Sequence, residues 1–526
     1  MSELPIAPDA LAGAAVAAAK RPSTSADAER KYLRGSYLLL AGRFIAIFLN
    51  LATQVLTVRY LAKADYGALA YALSIVAMGS SALQFGMGKA LPRLVAIHNE
   101  NGDHGRTFGT LALATYTVWG LGIAFMLLLI GMRGMIGGSA ADPKAISLLL
   151  ILIVLAPIDA YTTVLTRTLA VFVGARAVFF RRHVLAPALK LAAVVVVIGF
   201  RSNVHLLAWG YVAGGVVGLW VCIAVLLEHW RKRGLLQYAR SSLTQLPVRE
   251  LFGFSLPLLT SEVLLILRGT VIVIILEHFH SVASVAEYRA VLPVAALNML
   301  VYEGFAPLFV PVASRMFARH DRDAISELYW KTSMWITVLT VPVLAVTCAL
   351  AEPLTLLLFG GKYAGAGAIL AVLAVGHFVH AALGFNASSL QVHGKVGVIV
   401  VNDLLAGLGL LVMGSLLIPR YGGMGAALTM SGTLVLYNIL NNLGLWRSNT
   451  GIQLIHWQFL RVYLLASGVI AGVLLLQQLF HPPIYASAIV TGVLSLVLLR
   501  LTRHTLRTAE TFPELLRIPF VRRLMT

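Results

Sequence analysis

The sequence predicts an all-α integral membrane protein with 14 transmembrane helices: two six-helix halves built on one plan, and two further helices after them. Three observations predict it. Residues 35 to 499 carry fourteen apolar stretches, each near the length of about 20 residues that crosses roughly 30 Å of hydrocarbon at about 1.5 Å per residue. The basic residues between the stretches fall almost entirely on one side. A shift of about 219 residues also lays the first six stretches over the next six.

Composition selects the membrane class, because 59% of residues are apolar and 12% charged, whereas soluble domains hold nearer half and a quarter. Residues 1–34 form a cytoplasmic tail, expected to be disordered. Its Ala-rich stretch precedes Lys20 and Arg21 instead of following a basic start, which argues against a cleaved signal. The N-terminal half, residues 35–230, holds spans at 35–58, 68–88, 108–131, 146–166, 183–200 and 205–227. A cytoplasmic linker, 231–250, leads to the C-terminal half, 251–447, with spans at 251–276, 290–312, 332–351, 364–388, 396–418 and 423–446. Residues 448–502 carry the appended pair, 462–480 and 484–499, separated by His481-Pro482-Pro483. Residues 503–526 alternate Arg503, Arg507, Arg517, Arg522 and Arg523 with Leu and Phe, the pattern of a helix lying on the inner membrane surface.

The formal charge of +19 raises nucleic acid as a partner, but its distribution argues against that. With the N-terminus inside, 30 of the 41 Lys and Arg fall in inner segments, 8 in outer loops (Arg59, Lys63, Arg133, Lys144, Arg201, Arg289, Lys362, Arg420) and 3 in spans. Retention of positive charge on the cytoplasmic face explains that asymmetry and places both termini there. Under the shift, Pro92 falls on Pro311 and Arg201 on Arg420. Six spans per half make the repeat parallel, with its axis along the membrane normal, as in transporters whose halves rock about a site between them. No GxxxxGK[ST] phosphate loop occurs, so ATP bound to this chain powers nothing. Cys222 and Cys348 lie inside spans, and no disulfide framework or metal motif is present.

Ionisable groups in hydrocarbon are costly unless they meet a partner or water, so each one is a functional candidate. In the first span Ser36, Arg43, Asn50 and Thr57 recur every seven residues, and Gln54 lies four beyond Asn50, so all share one helix face that lipid cannot solvate. Arg43 lacks a carboxylate three or four residues away; its planar fork suits phosphate, or it pairs with Asp159, Glu262 or Glu303. Arg268 is the corresponding base of the seventh span. Lys190, with Arg181 and Arg182 at the cytoplasmic mouth of its span and Pro187 between, forms a basic entry path for an anionic head group. Asp159, Glu262, Glu303 and Asp403 are the candidates for H⁺ or Na⁺ coupling or for charge pairing. His377 and His380 have no carboxylate on their face, so no metal site is expected.

Several runs carry a resemblance: RYLAKADYGALAYALSI (59–75), QFGMGKALPRLVA (84–96), FGFSLPLL (252–259), LLLFGGKYAGA (356–366) and IPRYGGMGAAL (418–428). Across residues 32–450 the chain resembles the Wzx-type flippases for lipid-linked oligosaccharides, in the multidrug/oligosaccharidyl-lipid/polysaccharide exporter superfamily. The resemblance implies two six-helix lobes related by pseudo-two-fold symmetry, set in a V around a central cavity, with basic residues of spans one and seven (here Arg43 and Arg268) lining it. It implies an undecaprenyl-pyrophosphate-linked repeat unit as substrate, carried from the cytoplasmic to the outer leaflet of a bacterial inner membrane. The expected site is thus Arg43, Asn50, Gln54, Lys190 and Arg268. Membrane lipid, a polysaccharide polymerase and a chain-length regulator are the other expected partners, and the chain is expected to be a monomer without a cofactor. The competing readings are a lipid II flippase, a cation-coupled drug exporter with an acidic cavity, a membrane glycan polymerase or ligase with a catalytic outer loop, and an assembly scaffold.

Overall fold

The computed structural model describes residues 25–131, 142–173, 175–239, 246–255, 266–448, 450–452, 457–480 and 482–506. Among the described residues, eleven helices are long and apolar enough to cross a membrane. The N-lobe comprises α1 (Ser25–Tyr60), α2 (Lys63–Leu83), α3 (Met87–Glu100), α4 (His104–Gly131), α5 (Pro143–Leu152), α6 (Leu155–Phe172), α7 (Arg176–Gly199) and α8 (Val204–Lys232). Helix α9 (Val248–Ser255) opens the seventh span, which resumes as a π-helical turn, Leu267–Val271, and α10 (Ile272–Phe279). The C-lobe continues with α11 (Val282–Ala295), α12 (Leu300–Ala318), α13 (Arg322–Leu344), α14 (Ala351–Phe359), α15 (Ala366–Ala382), α16 (Phe385–Val392) and α17 (Val396–Arg447). The appended pair is α18 (Trp457–Phe480) and α19 (Ile484–Leu506), which pack on each other and on α13.

The repeat is visible in the helix starts. Shifted by about 219 residues, Lys63 falls on Val282, the first residue of α11, and His104 falls one residue past the start of α13. Helix α17 contains two of the expected spans, because its 52 residues turn back at Gly422 (φ 53°). The antiparallel return is seen in close approaches of Gly425 to Leu417, Gly432 to Met413, Gly409 to Leu436 and Gly444 to Val398. The first helix begins at Ser25, inside the stretch expected to be a tail.

With no water in a bilayer core, backbone groups must be satisfied within the protein. Short polar side chains do this at helix starts: Asp142 accepts from Lys144 N at 2.8 Å, Asn203 from Leu206 N at 3.2 Å, and Asp321 from Ala324 N at 3.0 Å. Inside the helices, Thr53, Thr57 and Ser74 return their hydroxyls to the carbonyl four residues earlier.

The lobes meet chiefly where α2 packs along α11, helices on which Ala68, Ala72, Ala286 and Ala290 are buried. Small residues allow such close backbone approach. Gly67 is the extreme case, since a Cβ there would lie 1.8 Å from the Val282 carbonyl oxygen. Around this contact the lobes are clasped. Arg59 donates to the carbonyls of Leu357 and Leu358, Lys362 donates to those of Arg59 at 2.9 Å and Leu61 at 2.7 Å, and Lys63 pairs with Glu287. On the opposite, basic face, α9 packs against α3 of the N-lobe, with Glu250 within 3.4 Å of His98 and 3.5 Å of Arg106.

Gly67→Val inserts atoms where none fit, at a cost to the clasped arrangement of about 1–3 kcal/mol. A cysteine placed at Ala286, fully buried in the structure, is expected to be alkylated faster in the Gly67→Val background. Unchanged protection would show that the clasp does not depend on this approach.

Candidate functional site

A cavity of about 360 Å³ lies beneath the clasp, walled by α1, α2, α6, α7 and α8 of the N-lobe and closed by α11 of the C-lobe. Along α8 the cavity is lined beyond Tyr211 by glycines alone, Gly214, Gly215 and Gly218, and a Cβ at Gly218 would come within 3.6 Å of an Arg181 Nη2. The repeat places Tyr437 at the position of Gly218, and its ring lies 5.8 Å from that of His380.

Two helix irregularities shape it. Pro187 has no N–H, so the carbonyl four residues earlier loses its helical donor. The chain there widens into a π-helical turn, Phe179–Leu185, in which Ala186 N bonds the carbonyl of Arg181. This turn carries Arg181 into the cavity wall, where its Nε donates to Cys222 Sγ at 3.1 Å. In α11, Pro293 likewise removes the donor for the carbonyl of Arg289. Gln54 of α1 replaces it, its amide nitrogen lying 3.1 Å from that oxygen, 3.3 Å from the Ala290 carbonyl and 2.6 Å from the Tyr66 hydroxyl. A broken helical bond thereby becomes a bond between lobes.

Three bases line the cavity, Arg181, Lys190 and Arg289, together with one acid, Asp159, which lies in the field of both Lys190 and Arg181. Asn50, Thr53, Gln54, Thr57, Tyr66, Ser74 and Tyr211 add neutral hydrogen-bonding groups. Arg289 has no carboxylate partner among the described residues. Its Nη2 donates to Ser74 Oγ and, at 3.0 Å, to the carbonyl of Gly269, while its Nε is buried without a hydrogen-bond partner among the described residues.

The structure thus brings together Asn50, Gln54, Asp159, Arg181 and Lys190 from the sequence-based expectation. Arg43 does not line this cavity. It forms an ion pair with Glu303 of α12 and donates to the Glu303 carbonyl at 3.2 Å, with each side chain about a third exposed (35% and 37%). Arg182 shares the π-helical turn but is absent from the lining, and Asp403 is buried on α17 beside Asn402, away from the cavity. Arg268 lies in the turn Leu267–Val271, its side chain outside the described residues, as is the whole of Glu262.

Arg289 was expected in an outer loop; the structure corrects this. Helix α11 begins at Val282, so Arg289 sits two turns inside it, about 10 Å from its end. The repeat held the signal, because the position equivalent to the start of α2 lies well ahead of Arg289.

A family model described as polysaccharide biosynthesis protein matches residues 56–368. An uncharacterized membrane protein of Methanocaldococcus jannaschii is 24% identical over 218 residues, 40% of this chain and 41% of that protein. The match thus spans about two fifths of that relative's length. Among solved structures, the lipid II flippase MurJ in an inward closed conformation superposes with a TM-score of 0.67 at 13% identity, over 91% of this chain and 100% of that one. An inward-facing multidrug resistance MATE family transporter of the MOP superfamily gives 0.66 at 15%, over 78% and 98%. These likenesses show the fold alone.

Filling the space over α8 tests how the cavity is built. Gly218→Leu is expected to fold, yet to displace the Arg181 guanidinium and slow labelling of a cysteine at Lys190. Unaltered labelling would mean that the glycines do not create the opening.

Proposed function

The chain belongs to the polysaccharide biosynthesis protein family, and from that premise we propose that it turns a polyprenyl-pyrophosphate-linked saccharide from the cytoplasmic to the outer leaflet of a bacterial inner membrane. The observation that carries this reading is the cavity in which three bases face one acid at membrane depth. Guanidinium and ammonium groups held there without matching carboxylates favour a multiply charged anion, and the neighbouring amides and hydroxyls suit a sugar. An undecaprenyl chain would remain in the bilayer while its head group enters.

The excess of Lys and Arg on the face carrying the 232–247 connection supports assigning that face to the cytoplasm. The clasp of Arg59, Lys63 and Lys362 then closes the outer side, and the cavity receives its ligand from within. Arg43 and Glu303 stand on the cytoplasmic side of the cavity, seven residues below Asn50 along α1. An ion pair as exposed as theirs contributes about 0–1 kcal/mol, little enough for a passing diphosphate to take Arg43 from its partner. Asp159, facing Lys190 and Arg181, is the group best placed to carry a proton if the cycle is driven by H⁺. A cation-coupled drug exporter fits less well, because its cargo would meet three like charges.

In a deletion strain, lipid-linked repeat units are expected to accumulate on the cytoplasmic leaflet. Lys190→Ala and Arg181→Ala, present at normal abundance, should each lower export roughly ten- to a hundredfold, the loss of about 1.5–3 kcal/mol from a charged hydrogen bond. Normal export by both variants would remove the basis for the cavity as the site. If Asp159 carries the proton, Asp159→Asn should abolish the response of transport to an imposed pH gradient; a retained response assigns coupling elsewhere.

A further inference from the structure

Arg289 is held in an arrangement that an anion cannot join without changing it. Among the described residues its guanidinium hydrogen bonds run from Nη2 alone, one to Ser74 Oγ and one to the Gly269 carbonyl. A guanidinium grips an oxyanion in two-point fashion either through Nη1 with Nη2 or through Nε with Nη2. Both grips need Nη2, and both Nη2 hydrogens are already engaged. The two acceptors are not equivalent. Ser74 lines the cavity and belongs to α2 of the N-lobe; Gly269 does not line it and belongs, like Arg289, to the C-terminal half.

We propose that Arg289 is the trigger that couples occupancy of the cavity to parting of the lobes: a phosphate or pyrophosphate group takes Nη2 from Ser74 and thereby breaks an inter-lobe bond under the clasp. This rests on the cavity being the anion site. The surrounding bonds make the step consequential, because the same short segment of α11 is tied to the N-lobe by Gln54, which donates to the Arg289 carbonyl, and Ser74 also receives Thr270 Oγ1 at 3.1 Å. Ser74 is thus a junction at which two C-lobe donors meet one N-lobe residue. Turning Arg289 toward an anion removes one of them and pulls on the carbonyl that Pro293 has left to Gln54. A ligand shifts such an equilibrium only by binding the two states unequally, and here it competes directly with a contact made in one of them.

The test uses the full chain in lipid nanodiscs, with Cys222 and Cys348 replaced by serine and spin labels on cysteines at Phe200 and Tyr421, exposed residues near the clasped ends of the N- and C-lobes. Inorganic pyrophosphate and undecaprenyl pyrophosphate are the two probes, separating a free anion from a lipid head group. Binding is followed by calorimetry and the label separation by double electron–electron resonance. Both probes are expected to bind and to lengthen the separation. Ser74→Ala should lengthen it without ligand and bind pyrophosphate at least as tightly as the parent. Arg289→Lys, which keeps the charge but loses the fork, should bind about tenfold or more weakly and respond little. Response to undecaprenyl pyrophosphate alone would assign the trigger to the lipid head group. Binding with no change in separation, or Ser74→Ala losing affinity as Arg289→Lys does, overturns the trigger and leaves the cavity reading standing. Absence of binding by either probe overturns both.

Discussion

Positive charge lining a cavity in an apolar helix bundle, in excess over the carboxylates beside it, is the constraint around which the site is arranged. Arg181, Lys190 and Arg289 cannot face lipid, and Asp159 neutralises at most one of them. Such groups persist only where water or an anion reaches them. The cavity is therefore a requirement of the sequence, and the glycines of α8 are how the chain meets it. The C-lobe shares the helix plan, and there Tyr437 stands at the position of Gly218, its ring 5.8 Å from that of His380.

The second constraint is backbone satisfaction. Two prolines remove helical donors at the cavity wall, and each loss is used. At Pro187 the helix widens and presents Arg181; at Pro293 the freed carbonyl is taken by a glutamine of the other lobe. Lobe contacts made by such single bonds, by alanine packing and by exposed ion pairs are individually weak, which suits an interface that must open and close. The clasp at Arg59 and Lys362 has the same character, made of side chains reaching carbonyls across the junction.

Most of the architecture was legible in the sequence, for a physical reason. Lipid demands long apolar runs and disfavours charge within them, so spans and repeat leave a one-dimensional record, and the start of α11 lies at Val282, where the repeat puts it. The site was legible in part. Asn50 and Gln54 announced themselves by helical spacing, Lys190 by charge within a span, and Arg181 by charge at that span's mouth. Arg43 and Glu303 were both singled out, but their pairing joins residues 260 positions apart and has no local signature. Arg289 was misplaced because a charge was taken to mark a span's edge, whereas here it lies two turns inside. The missing side chains of Gly214 and Gly218, which decide where the cavity lies, carry no signal until α7 and α8 are seen side by side.

A structure of the protein with a polyprenyl-pyrophosphate saccharide bound tests the central claim most directly. The account predicts the diphosphate within hydrogen-bond distance of Arg181, Lys190 or Arg289, the sugar against the Asn50 and Tyr66 side, and the lipid chain leaving between the lobes. A diphosphate seated elsewhere, with all three bases contacting only protein or water, would contradict it.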